Sequence, residues 1–385
     1  MSTGVLVPLL PLVRVSFGLT YLQAGVLVSS FGVSYGVGQI PMAILADRFS
    51  RRLLIVLGLI GTSLAAMAVS LSEAFWQMVP CFIAMGLLGG TYHAPTSSFI
   101  SQSLPTEKRG RALGMHYTGG AASFLLTPVM AVGVASLFDS WRSAFLILAI
   151  PALLVSGLLW FTTEEPRGDI AESARTSKSR REGINGADGS INAASEPHLS
   201  WVQILRSIGL LMCFVHAVYI VGSSVNAYLP LYMVDHHDVS PKLAGLVISV
   251  IAGSGMVGAP LGGALSDRLG RKQIILFSLC LAGPLLLAIT KSPLGILLLM
   301  SLILYGMSTS SRGPVMESFI ADVVPIGRRT TVLGIYFFVG QEVVGVATPI
   351  VGHFIDIYGL DAVLTGLALG LCVVAAVGLL IRKYI

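Results

Sequence analysis

Few residues in this chain could do chemistry, and they lie in apolar surroundings. Arg312, Glu317 and Glu342 are ionisable groups inside long hydrophobic stretches. If those stretches sit in lipid, a charge there costs roughly 2.5–3.5 kcal/mol on insertion scales, so each must face a cavity or a partner. Arg312 shares one helical stripe with Tyr305, Ser308 and Thr309, at i−7, i−4 and i−3. Its forked, permanently charged guanidinium suits it as an anion receptor on a substrate-facing wall. The other reading is a structural ion pair with Glu342. Glu342 sits in Gly340-Gln341-Glu342 and suits either a coupled proton or a static salt bridge. Burial and a neighbouring arginine pull its protonation in opposite directions. Glu317 lies five residues from Arg312, about 140° around the helix. It reads as an interfacial carboxylate and a second candidate for coupling.

His93 stands in Gly89-Gly90-Thr91-Tyr92-His93-Ala94-Pro95. The glycines admit a close backbone, and Pro95 frees a carbonyl within the span. A histidine there can titrate or donate to a substrate; it can equally be a hydrogen-bonded packing residue. Tyr92, Tyr35, Gln39 and Asn226 are further polar candidates for a pathway wall, each also readable as an interhelical hydrogen bond. His116 and His216 are weaker candidates. Gly253 to Gly258 fits a dinucleotide pattern, but no strand precedes it. With the glycine pairs Gly32/Gly36, Gly86/Gly90 and Gly258/Gly262 it reads as close helix packing. No Gly-Lys dipeptide occurs, so there is no Walker A loop. There is no H-E-x-x-H and no G-x-S-x-G, so no catalytic residues, metal or cofactor are expected.

The composition says what must position these residues. Only 11% of the 385 residues are charged, against about 25% in an average soluble chain. Hydrophobic residues make up 54% and the mean hydropathy is +0.83. A soluble globule cannot hide that much apolar surface. Crossing about 30 Å of hydrocarbon takes roughly 20 apolar residues. Runs of that kind fall at 21–46, 53–71, 75–101, 113–137, 143–161, 208–233, 240–265, 273–290, 294–321, 330–354 and 360–381. A twelfth run, 4–13, is too short to span and lacks the marks of a signal peptide. It is expected to be a shortened first helix, in a sequence that starts late.

Nineteen of the 24 Lys and Arg fall in every second turn and at the C-terminus. Four lie in the alternate turns: Arg14, Arg142, Lys242 and Lys291. This bias places the basic turns and the C-terminus in the cytoplasm, with the chain spanning the cell membrane. It also explains the net charge of +5 without nucleic acid. Residues 162–200 hold 12 of the 43 charged residues, among Ser, Gly, Asn and Ala. Such a stretch cannot fold alone and is expected to be a flexible cytoplasmic linker. The expected domains are an N-terminal bundle over 1–161, that linker, and a C-terminal bundle over 201–385.

One offset recurs along the chain. Asp47-Arg48 returns as Asp267-Arg268, and Arg51-Arg52 as Arg271-Lys272, each 220 residues later. The same offset carries Ala24-Gly25 onto Ala244-Gly245, Ser29 onto Ser249, Pro105 onto Pro325 and Arg109 onto Arg329. The expected fold is therefore an all-α membrane protein of two six-helix bundles. An even number of spans per repeat relates them by a pseudo-two-fold along the membrane normal, with a pathway between them.

Gly263-Ala264-Leu265-Ser266-Asp267-Arg268-Leu269-Gly270-Arg271-Lys272 resembles the signature between helices 2 and 3 of the major facilitator superfamily. The earlier copy, residues 43–52, carries Ala43 and Ser50 where glycines are usual. Tyr92 to Pro95 and the run from Gly110 to Gly120 are similar to the fosmidomycin-resistance branch of exporters. Phe82 stands where many drug exporters carry an arginine, and the helix-5 antiporter pattern is reduced to residues 127–132. These departures argue against proton/drug antiport. The resemblance implies a secondary transporter, not an enzyme, working by alternating access. Export of a small organic compound is the leading expectation. Anion uptake or exchange is the alternative that Arg312 motivates, and a transporter-like sensor or scaffold is a reading from another class. Asp47, Arg48, Arg51, Asp267, Arg268 and Arg271 are expected to form a cytoplasmic gate, since such turns can bind neighbouring helix ends and break in one state. The expected partners are a small-molecule substrate, a proton as coupling ion and membrane lipids, for a monomer.

Overall fold

A computed structural model of the chain describes residues 2–46, 50–92, 96, 99–100, 106–164, 201–324 and 326–380. Twelve long helices run through them: α1 (Ser2–Phe17), α2 (Tyr21–Ala46), α3 (Arg51–Ser70), α4 (Phe75–Gly89), α5 (Thr106–Leu137), α6 (Trp141–Thr162), α7 (Leu210–Asp235), α8 (Leu246–Leu269), α9 (Arg271–Lys291), α10 (Ile296–Val323), α11 (Ile326–Tyr358) and α12 (Leu360–Leu380). A one-turn segment, Trp201–Ile204, and a π turn, Leu205–Gly209, lead into α7. Lipid offers no hydrogen bonds, so apolar runs of this length close their backbone bonds internally as helices. Seven of them, α3, α6, α7, α8, α9, α11 and α12, are long and apolar enough to cross a membrane. In α10 the polar run Ser308–Arg312 lies within the helix. Asp47, Arg48, His93 and residues 165–200 of the expected linker lie outside the described residues.

The first helix is an interior element. Leu6, Leu9, Leu10 and Val13 of α1 are fully buried. At 16 residues it is about 24 Å long, short of the hydrocarbon thickness. The expected span over 75–101 is interrupted: α4 stops at Gly89 and a turn follows. Gly90 lies against the backbone of Gly38 and Gln39, where an added Cβ would sit 2.9–3.0 Å from main-chain atoms. The Gly89-Gly90 pair thus buys a close crossing with α2 at the expense of helix continuity.

The offset of 220 holds in the coordinates. The left-handed turns after α1 and α7 fall on Gly18 (φ +61°) and Asp238 (φ +54°). Those between α5 and α6, and between α11 and α12, fall on Asp139 (φ +52°) and Gly359 (φ +84°). Within each half the same glycine packing recurs: Gly38 presses on Leu87, and Gly258 on Met307. Between the halves the contacts are reciprocal. Gly25 meets Tyr228 and Gly245 meets Pro8; Gly345 meets Val33 and Gly253 meets Leu125. Exchanging each residue for its repeat mate converts one contact into the other, as a two-fold axis requires.

The two signature turns are not conformational copies. Gly270 adopts φ +97°, which favours glycine. Ser50, its repeat mate, has φ −56° and caps α3 instead, its Oγ accepting from Leu53 N at 3.1 Å.

Candidate functional site

A cavity of about 350 Å³ opens among α7, α10 and α11. Glycines set it up. Gly255, Gly258 and Gly262 on α8 pack directly on Ser310, Met307 and Ser311, which holds α10 close and fixes its rotation. Ser308 Oγ also donates to Ser278 O of α9 at 3.3 Å. With α10 so placed, Tyr305, Thr309 and Arg312 face the cavity. Thr309 Oγ1 is turned back onto Tyr305 O at 2.8 Å. From α7 come His216, Tyr219 and Asn226, and from α11 Tyr336.

Arg312 is 6% exposed, and its Nη1 is buried without a hydrogen-bond partner. Asn226 Oδ1 is also buried and unpartnered. A guanidinium nitrogen with nothing to donate to is an open demand for an acceptor. A single cavity therefore offers a fixed cation, an amide and three tyrosines. That suits a small organic anion with an apolar body.

The other sequence candidates lie apart from this cavity. Tyr35 stacks on Phe31 with ring centres 5.5 Å apart, and Tyr92 meets the His116 ring at 5.7 Å. With Gln39 they lie in the other half, Tyr35 and Gln39 on α2, Tyr92 in the turn after α4 and His116 on α5. Glu342 does not pair with Arg312 in this conformation. It points at α2, where its Oε1 is buried without a partner over the bare backbone of Gly36. Glu317 is exposed, near enough to Tyr336 to act on it electrostatically. Sequence reasoning missed Tyr219 and Tyr336 and ranked His216 low, because each stands alone in an apolar run.

Polar contacts between the halves gather at the face opposite the basic turns. Arg14 Nη1 of α1 lies 2.6 Å from Asp235 Oδ2 of α7, and Tyr21 donates its hydroxyl to the same oxygen. Asp356 of α11 accepts from the backbone N–H groups of Tyr21 and Leu22, at 2.8 and 2.9 Å, at the start of α2. Lys242 Nζ lies 2.7 Å from Asp139 Oδ1, and the lysine holds that carboxylate below its usual range. Tyr228 Oη donates to Thr348 O at 2.7 Å and lies 3.2 Å from Tyr21 O. Of the expected gate residues, Asp267 and Arg271 make their ion pairs within the C-terminal half. Arg271 pairs with Asp322 at the end of α10 and lies 3.7 Å from Asp267. Arg51 is buried and Arg268 exposed. Their clustering of opposite charges was legible; which half each contact joins was not.

Comparison with known proteins gives the same architecture. The family model described as Major Facilitator Superfamily matches residues 1–349 and 211–384. A relative from Cupriavidus necator, described as a probable sulfoacetate transporter, is 27% identical over 95% of this chain and 87% of its own length. One from Cupriavidus pinatubonensis, described as a probable 4-methylmuconolactone transporter, is 25% identical over 87% of this chain and 76% of its own. Among solved structures, a bacterial homolog of the human lysosomal transporter Spinster, inward-facing and occupied, superposes with a TM-score of 0.78 at 17% identity, covering 100% of this chain and 94% of that one. The twelve helices, the repeat and the signature turn therefore have one explanation: the chain belongs to the major facilitator superfamily, an integral membrane transporter of small molecules and not an enzyme.

Proposed function

We propose that this chain is an ion-coupled secondary transporter of a small organic anion, working as a monomer by alternating access in the cell membrane. The basic turns and the C-terminus face the cytoplasm, and residues 162–200 only connect the bundles 1–161 and 201–385. The observation that carries this reading is the buried, unpartnered Nη1 of Arg312 on the cavity wall. Relatives described as sulfoacetate and 4-methylmuconolactone transporters support an organic-acid substrate. The coupling ion proposed is the proton. Two directions have separate motives: the exporter-like residues Tyr92 to Pro95 favour export, whereas Arg312 on the cavity wall motivates anion uptake or exchange.

Purified protein in liposomes tests the reading. Labelled sulfoacetate and a panel of small carboxylates are offered under pH gradients of either sign. Gradient-dependent accumulation is expected for at least one anion, and Arg312→Lys is expected to weaken its binding about tenfold or more by losing the fork. Accumulation of neutral or cationic drugs alone would overturn the anion assignment.

A further inference from the structure

His216 makes two contacts that a neutral imidazole cannot make together. Its Nδ1 lies 2.7 Å from Met212 O, one turn back on α7. Its Nε2 lies 2.9 Å from Tyr336 O, across the helix boundary on α11. Both partners are carbonyl oxygens, which only accept. A neutral ring has one N–H and one lone pair, so it satisfies one carbonyl and faces the other with a lone pair. The imidazolium has two N–H groups and satisfies both. The ring is 7% exposed, and Tyr336 packs edge-on against it with centres 5.0 Å apart.

From this geometry we infer that His216 is the binding site of the coupled proton and that it ties α7 to α11 only while protonated. This goes beyond the transport reading above and rests on it for the word coupled. On deprotonation the Nδ1 contact survives, because it lies within one helix. The Nε2 contact is the one lost, and with it the tie to α11. Tyr336 lines the same cavity as Arg312, so the proton controls the shape of the anion site.

The surroundings favour joint binding of proton and anion. The titratable and charged groups lining the cavity beside His216 are Tyr219 of its own helix, Tyr305 and Arg312 of α10, and Tyr336 of α11. Glu317 of α10 reaches this group through Tyr336. Of the other helices packed on α7, α1 meets it through Arg14 at Asp235, α9 through Thr290 at Tyr232 and α12 through Gly378 at Phe214; α8 carries its charged residues, Asp267 and Arg268, exposed in its last turn. No carboxylate lines the cavity among the described residues. The protonated ring and Arg312 are thus two cations facing one space. An anion there stabilises both, and by reciprocity each proton bound strengthens the anion's hold. Proton and anion then travel together rather than in exchange.

The test needs no substrate at first. The full chain, carrying ¹⁵N-histidine, is placed in lipid nanodiscs and titrated from about pH 5 to pH 9, across the usual histidine range. The His216 signals are identified by their loss in His216→Gln, and in His216→Asn should the first variant not fold. Spin labels on α7 and α11 report their separation under the same conditions. The expected result is two protonated ring nitrogens at the acid end, loss of the Nε2 proton on titration, and a change in helix separation with the same midpoint. A single neutral tautomer throughout, a ring protonated throughout, or a titration with no change in separation would overturn the proposal. Sulfoacetate added at fixed pH is a separate arm. An increase in the protonated fraction of His216 supports joint binding, and an unchanged fraction with sulfoacetate bound overturns it. Failure of every anion tried to bind would count against the anion reading, while the first arm still decides the proton site.

Discussion

Arg14 and Asp235 join the first helix of one bundle to the first helix of the other, 2.6 Å apart at the face opposite the basic turns. Asp356 does the same for α11 and α2 by capping two backbone N–H groups of α2. A cap of this kind is worth about 1 kcal/mol, and a half-exposed ion pair up to about as much. On the alternating-access reading, contributions of that size tip a balance between conformers that differ by a few kcal/mol. Asp356→Asn keeps the shape of the side chain but loses its charge and one of the two accepting oxygens. It is expected to shift the balance severalfold toward opening at that face, and the double variant Asp235→Asn/Asp356→Asn further still. Alkylation of Thr20→Cys, at an exposed position beside these contacts, measures the opening. Unchanged alkylation in the double variant would show that apolar packing alone holds the face shut.

The reciprocal glycine contacts give a symmetric prediction. A Cβ at Gly25 would collide with the Tyr228 hydroxyl and crowd Thr348 and Pro349 of α11. At Gly245 it would collide with the backbone and ring of Pro8. Overpacking of this kind costs about 1–3 kcal/mol. Gly25→Val and Gly245→Val are each expected to hold the protein out of the present conformation, with similar loss of transport and little loss of folded protein. Size-exclusion profiles and double electron–electron distances between the halves check both points. An effect from only one of the pair would mean that the two contacts are made in different conformers.

Much of this architecture was legible in advance. Hydropathy anticipated a helical membrane chain because lipid forces apolar runs into whole helices, and the offset of 220 anticipated the matching turns at Gly18 and Asp238 and at Asp139 and Gly359. What periodicity could not give was the partner of each polar residue. Glu342 and Arg312 lie on sequence neighbours α11 and α10, yet Glu342 points at Gly36 of α2, in the other half. A single histidine in an apolar run carries no pattern either. His216 became informative only when two carbonyl oxygens were found around its ring. The break after Gly89 was hidden because an apolar run continues past it, while the reason for stopping lies on α2.

The Asp139–Lys242 bridge bears on any observed pH dependence. Lysine lowers the aspartate's protonation range below an ordinary value near 3.9. Its contribution is therefore complete above about pH 4 and is lost as pH falls through the lowered value. Between pH 5 and 8 it is constant. Both side chains are largely exposed, at 44% and 85%, so Lys242→Ala is expected to change thermal stability little. It should leave the pH profile of transport in that window unmoved. A displaced profile in Lys242→Ala would assign some of the pH response to this face.

Glu342 and His216 are expected to separate gating from binding. The Oε1 of Glu342 is buried without a partner between α11 and α2. An ionised oxygen left so is costly by several kcal/mol, whereas a protonated carboxyl is tolerated there. Glu342→Gln makes the neutral form permanent and keeps the shape. It should favour the present conformer, in which α2 and α11 are pressed together at Gly36, and slow turnover about tenfold. Anion affinity should stay close to wild type, since the residue does not line the cavity. His216→Gln should do the converse, flattening the pH dependence of anion affinity while leaving the distance between the bundles unaltered. Equilibrium binding of the anion found in the liposome screen, measured across pH beside interbundle distances, resolves the two. If Glu342→Gln changed affinity and not the interbundle distance, the carboxylate would belong to the anion site in a conformer other than this one, and its pairing with Arg312 there would be the next distance to measure.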